Sequence, residues 1–303
     1  MNRKIRFTGS LALMGFAALL IGCGGSSIPP SVTPNMTAAK EIRTKLASVT
    51  TVAKEEVKIE FGNVFATLKG KITLNGAPPT NPQMNITKDL GVCKPGGATV
   101  MNEIVTVGGS GGLANVLVYA DVPAEWCHES KINTEGDVEF DQKQCVFLNR
   151  IVGLQTSQTL KILNSDPVGH NAALSPAKND PFNETIASNG SATYDPKKQE
   201  KSPFPVTCSV HPWMQSFIIF RDNGYFAVTK EDGSFEIDNL PAGVPVKINV
   251  WHEATKGVPG KEVTVQPAGV AQDWGRRGSF TVNLEPDSQA ELQIAVNSSA
   301  LSK

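Results

Sequence analysis

One short stretch near residue 210 contains three side chains that bind soft and borderline metal ions. Its sequence is Cys208-Ser-Val-His211-Pro-Trp-Met214, which places a thiol, an imidazole and a thioether within seven residues. Thiolate and thioether ligands suit copper better than magnesium or calcium, and a methionine is not among the usual ligands of zinc. The stretch therefore indicates a copper-binding loop that lacks only a second imidazole.

A second imidazole lies upstream, where an apolar strand pattern at 160–163 runs into the turn Asn164-Ser-Asp-Pro-Val-Gly169 and ends at His170. Two histidines and one cysteine in a trigonal plane, with a long axial methionine, form the blue-copper electron-transfer site. Such a site takes one ligand from a remote strand and three from one loop. We therefore predict one mononuclear copper ion, with four ligands: His170, Cys208, His211 and Met214.

These two stretches resemble those of the cupredoxins. The Cys-x-x-His-x-x-Met spacing at 208–214 is similar to the short loop of the amicyanin type rather than the longer plastocyanin loop. The Asn-x-Asp stretch that leads to His170-Asn171 is similar to the first-histidine strand of the same family. The resemblance covers about 140–221 and implies a Greek-key β-barrel or sandwich, one-electron transfer, and a supporting role beside the ligands for Asn171.

Other functions are less well supported by the residues. A structural cysteine, a core histidine and a core methionine are each common, but all four ligands at this spacing favour a metal site. The chain has four histidines, without a His-x-His pair, and one cysteine in the loop, so multicopper and binuclear copper chemistry are disfavoured and we predict no enzyme. A copper carrier, or a β-sandwich interaction module whose site has lost its metal, remain the alternatives.

Length and composition favour an all-β chain of about two domains. The chain has 303 residues, which exceeds one small module. Glycine (27) and proline (20) are abundant and interrupt short apolar runs, as is typical of strands joined by turns. A net charge of -1 excludes a strongly basic nucleic-acid-binding protein.

The N-terminus has the pattern of an export signal. Arg3, Lys4 and Arg6 precede an apolar stretch at 11–21 that is short for a membrane-spanning helix. The stretch ends in Leu20-Ile-Gly-Cys23, which resembles a bacterial lipobox. The resemblance implies that residues 1–22 are removed and that Cys23 carries lipid. We therefore expect an exported protein of the bacterial cell envelope, periplasmic or surface-exposed, that is anchored to a membrane.

Export permits disulfides, because the cytosol would reduce them and the envelope does not. With Cys23 assigned to lipid and Cys208 to metal, three of the five cysteines remain: Cys93, Cys127 and Cys145. One pair and one free thiol are possible. The sequence leaves the pairing open, and we favour Cys93 with Cys145.

Residues 23–60 are predicted to form a tether. Its first part is rich in serine, proline and threonine, and Ala38, Ile42, Leu46 and Val49 then recur at helical spacing. The sequence leaves one short helix and a wholly disordered linker open, because so weak an apolar stripe needs a partner surface.

A second resemblance covers the segment after the ligand loop. Thr229-x-x-Asp-Gly-x-Phe235, followed by Leu240-Pro-x-Gly243 and a strand, resembles the carboxypeptidase regulatory-like, or transthyretin-like, β-sandwich. Residues 66–79 and 113–120 are similar to the first half of that sandwich. We therefore predict an immunoglobulin/transthyretin-like sandwich split into 61–125 and 222–298, with the cupredoxin-like domain at 140–221 inserted; two tandem sandwiches remain the alternative. His252 is expected at a sandwich edge or in solvent.

Pro212 and Trp213 flank a predicted ligand in the loop. If they are exposed, the ring edge of His211 would lie in an apolar patch of the kind that weak redox encounters use. We predict this patch as the docking surface for redox partner proteins of the envelope, while the alternative places Trp213 in the core. Oligomeric state cannot be read from the sequence.

Overall fold

The computed structural model describes residues 36–50, 60–255, 262–266, 270–271 and 278–301, with side chains described at 36–45, 60–255 and 278–301. The chain divides into two compact units, Met1–Lys58 and Ile59–Lys303. In the first unit, helix α1 spans Met36–Thr50, within the stretch for which the sequence left a helix and a linker open. The predicted signal segment and Cys23 lie outside the described residues.

Strands dominate the second unit, which confirms the prediction of an all-β fold. In chain order they are β1 (Phe65–Asn75), β2 (Leu117–Asp121), β3 (Asp137–Lys143), β4 (Val146–Phe147), β5 (Ile151–Gln155), β6 (Thr159–Asn164), β7 (His170–Leu174), β8 (Phe182–Ile186), β9 (Ser191–Tyr194), β10 (Phe204–Thr207), β11 (Gln215–Arg221), β12 (Phe226–Val228), β13 (Ser234–Pro241), β14 (Pro245–Trp251), β15 (Glu262–Gln266), β16 (Val270–Ala271), β17 (Ser279–Asn283) and β18 (Gln289–Asn297). Helix α2 (Leu90–Cys93) is one turn long, and short 3-10 turns lie at Pro95–Gly97, Ala124–Trp126, Glu129–Lys131 and Ser298–Leu301.

Four sheets form two sandwiches. The outer sandwich packs the sheet β13-β1-β18-β15-β16 on the sheet β12-β2-β14-β17. The inner sandwich packs β4-β3-β6-β9 on β5-β11-β10-β7-β8. Strands β3 to β11 lie in sequence between β2 and β12, which are antiparallel neighbours with Tyr119 opposite Phe226. The chain therefore leaves the outer sandwich at one strand and returns to it at the adjacent one.

Alternating side chains explain both cores. In β18 every second residue from Ala290 is buried while the intervening residues face outward, which is the period-2 pattern of a half-buried strand. Leu68 of β1 and Ile248 of β14 come from opposite sheets of the outer sandwich and are both fully buried in its core. Phe140 of β3 and Phe220 of β11 do the same in the inner sandwich.

The two sandwiches share a third, smaller apolar cluster. Leu117, Ile151 and Ile219 are buried in it, and the rings of Phe217 and Trp251 pack edge to face at 4.9 Å. Two arginines reinforce this interface. Arg150 forms a two-pronged ion pair with Glu253, and Arg221 donates to the Ala120 carbonyl at 3.0 Å and lies over the ring of Tyr119. Because buried charges are stable only when paired, these contacts fix the inner sandwich against the outer one.

The glycine-rich stretch at 108–113 packs tightly against the turn at Asp232–Gly233. A Cβ at Gly112 would overlap the backbone of Asp232, whereas a Cβ at Gly109 would meet nothing within 4 Å. Glycine is therefore required at 112 for close approach of two backbones, and at 109 it is not.

We predict that Gly112→Ala destabilises the protein by about 1–3 kcal/mol, because the overlap forces the backbone apart. Gly109→Ala is the matched control and should leave the free energy of unfolding nearly unchanged. Chemical denaturation of both variants measures the difference. Equal stability of the two variants would contradict the close packing.

Candidate metal centre

The turn before His170 is built around the side chain of Asn164. Its Nδ2 atom donates to the carbonyls of Val168, Ile186 and Ala187 at 2.8–3.1 Å, and its Oδ1 atom accepts from the Asp166 amide at 3.0 Å. Asn164 is 2% exposed, so this buried amide has its polar atoms satisfied by the turn that it supports. The turn fixes where β7 starts, and His170 is the first residue of β7.

The second stretch is the loop between β10 and β11. The Cys208 amide donates to the Met214 carbonyl at 3.4 Å and the Met214 amide to the His211 carbonyl at 2.9 Å, so the loop closes on itself. Asn171 ties the loop to β7, because its Oδ1 atom accepts from the amides of Ser209 and Val210. The Asn171 amide donates in turn to the Cys208 sulfur at 3.4 Å. Asn171 therefore supports the loop as the sequence resemblance implies.

The structure brings three of the predicted ligands together in the interior. The ligating atoms of His170, Cys208 and His211 all lie within 4.8 Å of one another. The two Nδ1 atoms are 2.8 Å apart, and the Cys208 sulfur is 4.0 Å from Nδ1 of His211. Both imidazoles are 0% exposed and the thiol is 1% exposed. Met214 is buried at the end of the same loop, with 1% of its surface exposed.

This donor set fits a copper ion in its chemistry. A thiol and two imidazole nitrogens converge on one point, and a thioether lies six residues from the cysteine in the same loop. The carboxylates near the site contact the far side of the imidazole rings, so hard oxygen ligands do not replace the soft ones. The residues present would therefore hold copper through Nδ1 of each histidine and the sulfur of Cys208.

Each imidazole has a carboxylate partner on the nitrogen that faces away from the thiol. Nε2 of His170 donates to Asp166 at 2.7 Å, and Nε2 of His211 donates to Asp89 at 2.8 Å. A carboxylate at the outer nitrogen fixes the tautomer and raises the basicity of the ligating one. Asp166 lies in the stretch 164–170 that leads to the first predicted histidine ligand. That position is the one feature of the sequence that indicates a role for Asp166. Asp89 belongs to the long connection between β1 and β2, and no motif pointed to it.

The charges of the site favour a thiolate. Burial raises the pKa of Cys208, but hydrogen bonds from His170 and from the Asn171 amide outweigh it and lower that pKa overall. Burial lowers the pKa of His170, but the neighbouring Cys208 and Asp166 raise it by more, so the pKa of His170 is raised overall. For His211 the balance is reversed: burial lowers its pKa more than Asp89 raises it. In the metal-free chain the two Nδ1 atoms, 2.8 Å apart, share one proton. Metal binding must displace it.

A disulfide lies against both imidazoles. Cys93 and Cys145, the pair that the sequence analysis favoured, are joined, and both sulfurs lie within 4.8 Å of a ring nitrogen of His211. The Cys145 amide donates to the same Asp166 carboxylate that holds His170, at 2.8 Å. Among the cysteines that the structure describes, Cys127 and Cys208 remain reduced.

The expectation that His211 presents an exposed ring edge is wrong. Asp89 covers its Nε2 atom, and the Trp213 ring packs 5.1 Å from the imidazole. Trp213 is half-buried and donates from Nε1 to the Cys145 carbonyl at 3.1 Å, so it packs into the site; Pro212 alone is exposed. The segment of the chain that carries Asp89 lies over this part of the loop.

The two remaining histidines lie outside the site. His128 is partly exposed and its Nδ1 atom lies 2.8 Å from the Ser130 hydroxyl. His252 was expected at a sandwich edge or in solvent, but it is 1% exposed. The turn after β14 folds its ring inward, and Nδ1 accepts a hydrogen bond from the Ala254 amide at 3.1 Å.

No protein-family model and no curated protein matches this chain. Among solved structures, amicyanin from Paracoccus versutus is similar at 18% identity over 40% of this chain and 100% of that chain, with a TM-score of 0.25. A reduced amicyanin variant is similar at 13% identity over 34% of this chain and 99% of its own, with a TM-score of 0.26. The Cu-containing nitrite reductase from Thermus scotoductus SA-01 is similar at 17% identity, over 28% of this chain and 22% of that chain, with a TM-score of 0.26. The structural neighbours of this chain are cupredoxins, aligned over part of its length.

Proposed function

We propose that this protein is an electron-transfer protein with one mononuclear copper site. The observation that carries the proposal is the buried convergence of one thiol and two imidazoles, with their ligating atoms within 4.8 Å. His170, Cys208 and His211 would bind the metal strongly, and Met214 would bind weakly and tune the potential. A bound copper ion would alternate between Cu(II) and Cu(I) and so carry one electron.

The protein residues would supply a rigid, dry environment for that exchange. Three of the candidate ligands are held by hydrogen bonds: His170 by the buried Asp166, His211 by the partly exposed Asp89, and Cys208 by the Asn171 amide. Buried polar groups with satisfied partners resist rearrangement. The donors therefore keep their positions when the charge of the site changes by one electron.

The burial of the donors favours electron transfer over catalysis and over copper carriage. A catalytic metal keeps an open position for substrate, and both imidazoles here are 0% exposed. A carrier must exchange its metal, whereas a disulfide and two carboxylates surround this site. Copper carriage and a non-redox interaction role are the second candidates, and the ligand experiment below separates them from electron transfer.

We further propose that the protein works at the bacterial envelope. The support is the signal pattern at 1–22, the lipobox-like Cys23 and the tether with helix α1, followed by the carboxypeptidase regulatory-like sandwich at 61–125 and 222–298. In this proposal Cys23 anchors the protein to a membrane, and the copper domain at 140–221 exchanges electrons with redox partner proteins of the envelope. Among the described residues, none of the helices is long and apolar enough to cross a membrane.

The ligand assignment predicts different spectra for two substitutions. Cys208→Ala should abolish the thiolate-to-copper charge-transfer colour of the Cu(II)-loaded protein, because the thiolate supplies the transition. Met214→Leu should keep the colour and change the reduction potential, because the axial bond is weak. Optical spectroscopy and potentiometry measure both. Colour in Cys208→Ala would refute the assignment, and colourless copper binding by the wild type would favour a carrier.

Copper should also stabilise the fold. A ligand that binds only the folded chain adds about 4 kcal/mol to the free energy of unfolding when its free concentration is about 1,000 times its dissociation constant. Because both imidazoles must be deprotonated to bind, and free histidine titrates near ~6.5, the stabilisation should shrink as pH falls below that value. Thermal unfolding with and without copper measures it. A melting temperature that copper leaves unchanged at neutral pH would contradict a folded-state site.

A further inference from the structure

Asp89 stands at the N-terminal end of helix α2 but does not cap that helix. An aspartate at this position usually accepts a hydrogen bond from an amide of the first helical turn. The side chain of Asp89 makes no such bond and instead accepts from Nε2 of His211 at 2.8 Å. The Asp89 side chain therefore does not cap α2 and instead contacts a residue that lies 122 positions later in the sequence.

The backbone of Asp89 supports the same conclusion. Its φ is 48° and its ψ is 43°, in the left-handed region that side chains rarely adopt. Its carbonyl accepts from the amides of Val92 and Cys93, both at 2.9 Å, so α2 fixes this conformation. Strained residues of this kind persist where the surrounding structure determines them, and they concentrate at functional sites.

The end of α2 is fixed to the inner sandwich by the disulfide. Cys93 is bonded to Cys145, whose amide and carbonyl bind Asp166 and Trp213 respectively. Asp166 holds the other histidine, and Trp213 packs on His211. The disulfide therefore joins the segment that carries Asp89 to the groups that surround both imidazoles.

Asp89 is also the group between His211 and solvent. The imidazole is 0% exposed, whereas the Asp89 side chain is 32% exposed. Its segment lies in the connection between β1 and β2, and Ile86, Val92 and Cys93 of that connection pack against the inner core. A segment that precedes the inner sandwich in sequence thus completes the ligand environment of His211.

We propose that Asp89 is a positioning residue for the metal centre: it fixes His211 in the tautomer that turns Nδ1 toward Cys208 and closes the ring edge to solvent, and the Cys93–Cys145 disulfide holds it there. This inference rests on the proposed copper function. It makes the connection between β1 and β2 part of the metal site. It also closes the edge of His211 to solvent, so that bound copper is released slowly.

The first experiment needs no metal. Nitrogen-15 NMR of the metal-free protein should show the proton of His211 on Nε2 and a bare Nδ1. In Asp89→Ala the signal should change to a mixture of tautomers, and Asp89→Asn should retain the Nε2 proton because the amide oxygen still accepts. Glu139→Gln removes an exposed carboxylate of the inner sandwich that pairs with Lys161, and it should change nothing. An unaltered His211 signal in Asp89→Ala would overturn the proposal.

The second experiment uses Cu(II) and a competing chelator. Loss of a carboxylate behind a histidine ligand typically lowers metal affinity about 10–100-fold. Asp89→Ala should show a loss in that range with faster release, Asp89→Asn a smaller one, and Glu139→Gln none. If the wild type binds copper with thiolate colour and Asp89→Ala matches it in affinity and release, Asp89 has no positioning role while the copper function stands. If the wild type binds no copper, the proposed function fails instead, and the NMR result still decides the contact.

The disulfide has its own test. A Cys93→Ser/Cys145→Ser double variant should release copper faster than the wild type, because the segment that carries Asp89 is no longer fixed. Cys127→Ser serves as the control, because among the described residues Cys127 is a reduced cysteine that is not a candidate ligand. Equal release rates in the double variant and the control would show that the disulfide does not hold the site closed.

Discussion

The carboxylate–imidazole hydrogen bonds are the interactions on which the metal centre depends. Asp166 and Asp89 each accept from an Nε2 atom, so both Nδ1 atoms lie on the side of the Cys208 sulfur. An imidazole turned over in its pocket would present the wrong nitrogen, and the donors would no longer converge. The remaining contacts, from Asn164 and Asn171, fix the backbone so that these two bonds can form.

The two bonds come from different parts of the chain. Asp166 lies in the turn between β6 and β7, close to the histidine that it holds, whereas Asp89 lies in the connection between β1 and β2, which packs against the inner core. The apolar cluster around Leu117 and the paired arginines keep the sandwiches in fixed contact, and the Cys93–Cys145 disulfide fixes the segment that crosses to the site. Packing far from the ligands therefore contributes to the geometry at the ligands.

The convergence of His170, Cys208 and His211 could be predicted from the sequence because the pattern that indicates it is local. Cys208, His211 and Met214 lie in one loop, and few metal sites other than copper use that combination. The all-β fold follows from short alternating strands and frequent turns. The covering of His211 could not be predicted, because it depends on a segment that is 122 residues away in sequence and has no motif. For the same reason the position of His252 was misjudged and the sequence left the exposure of Trp213 open. Burial of a loop residue is decided by tertiary neighbours, not by its own composition.

The most direct test of the proposed copper site is a titration of the metal-free protein with Cu(II), followed by visible absorption. A single copper ion bound by Cys208 should give one intense thiolate-to-copper band that saturates at one copper per chain, bleaches on addition of one electron and returns on reoxidation. Copper bound without that band, or a band that requires more than one ion per chain, would contradict a mononuclear site ligated by Cys208.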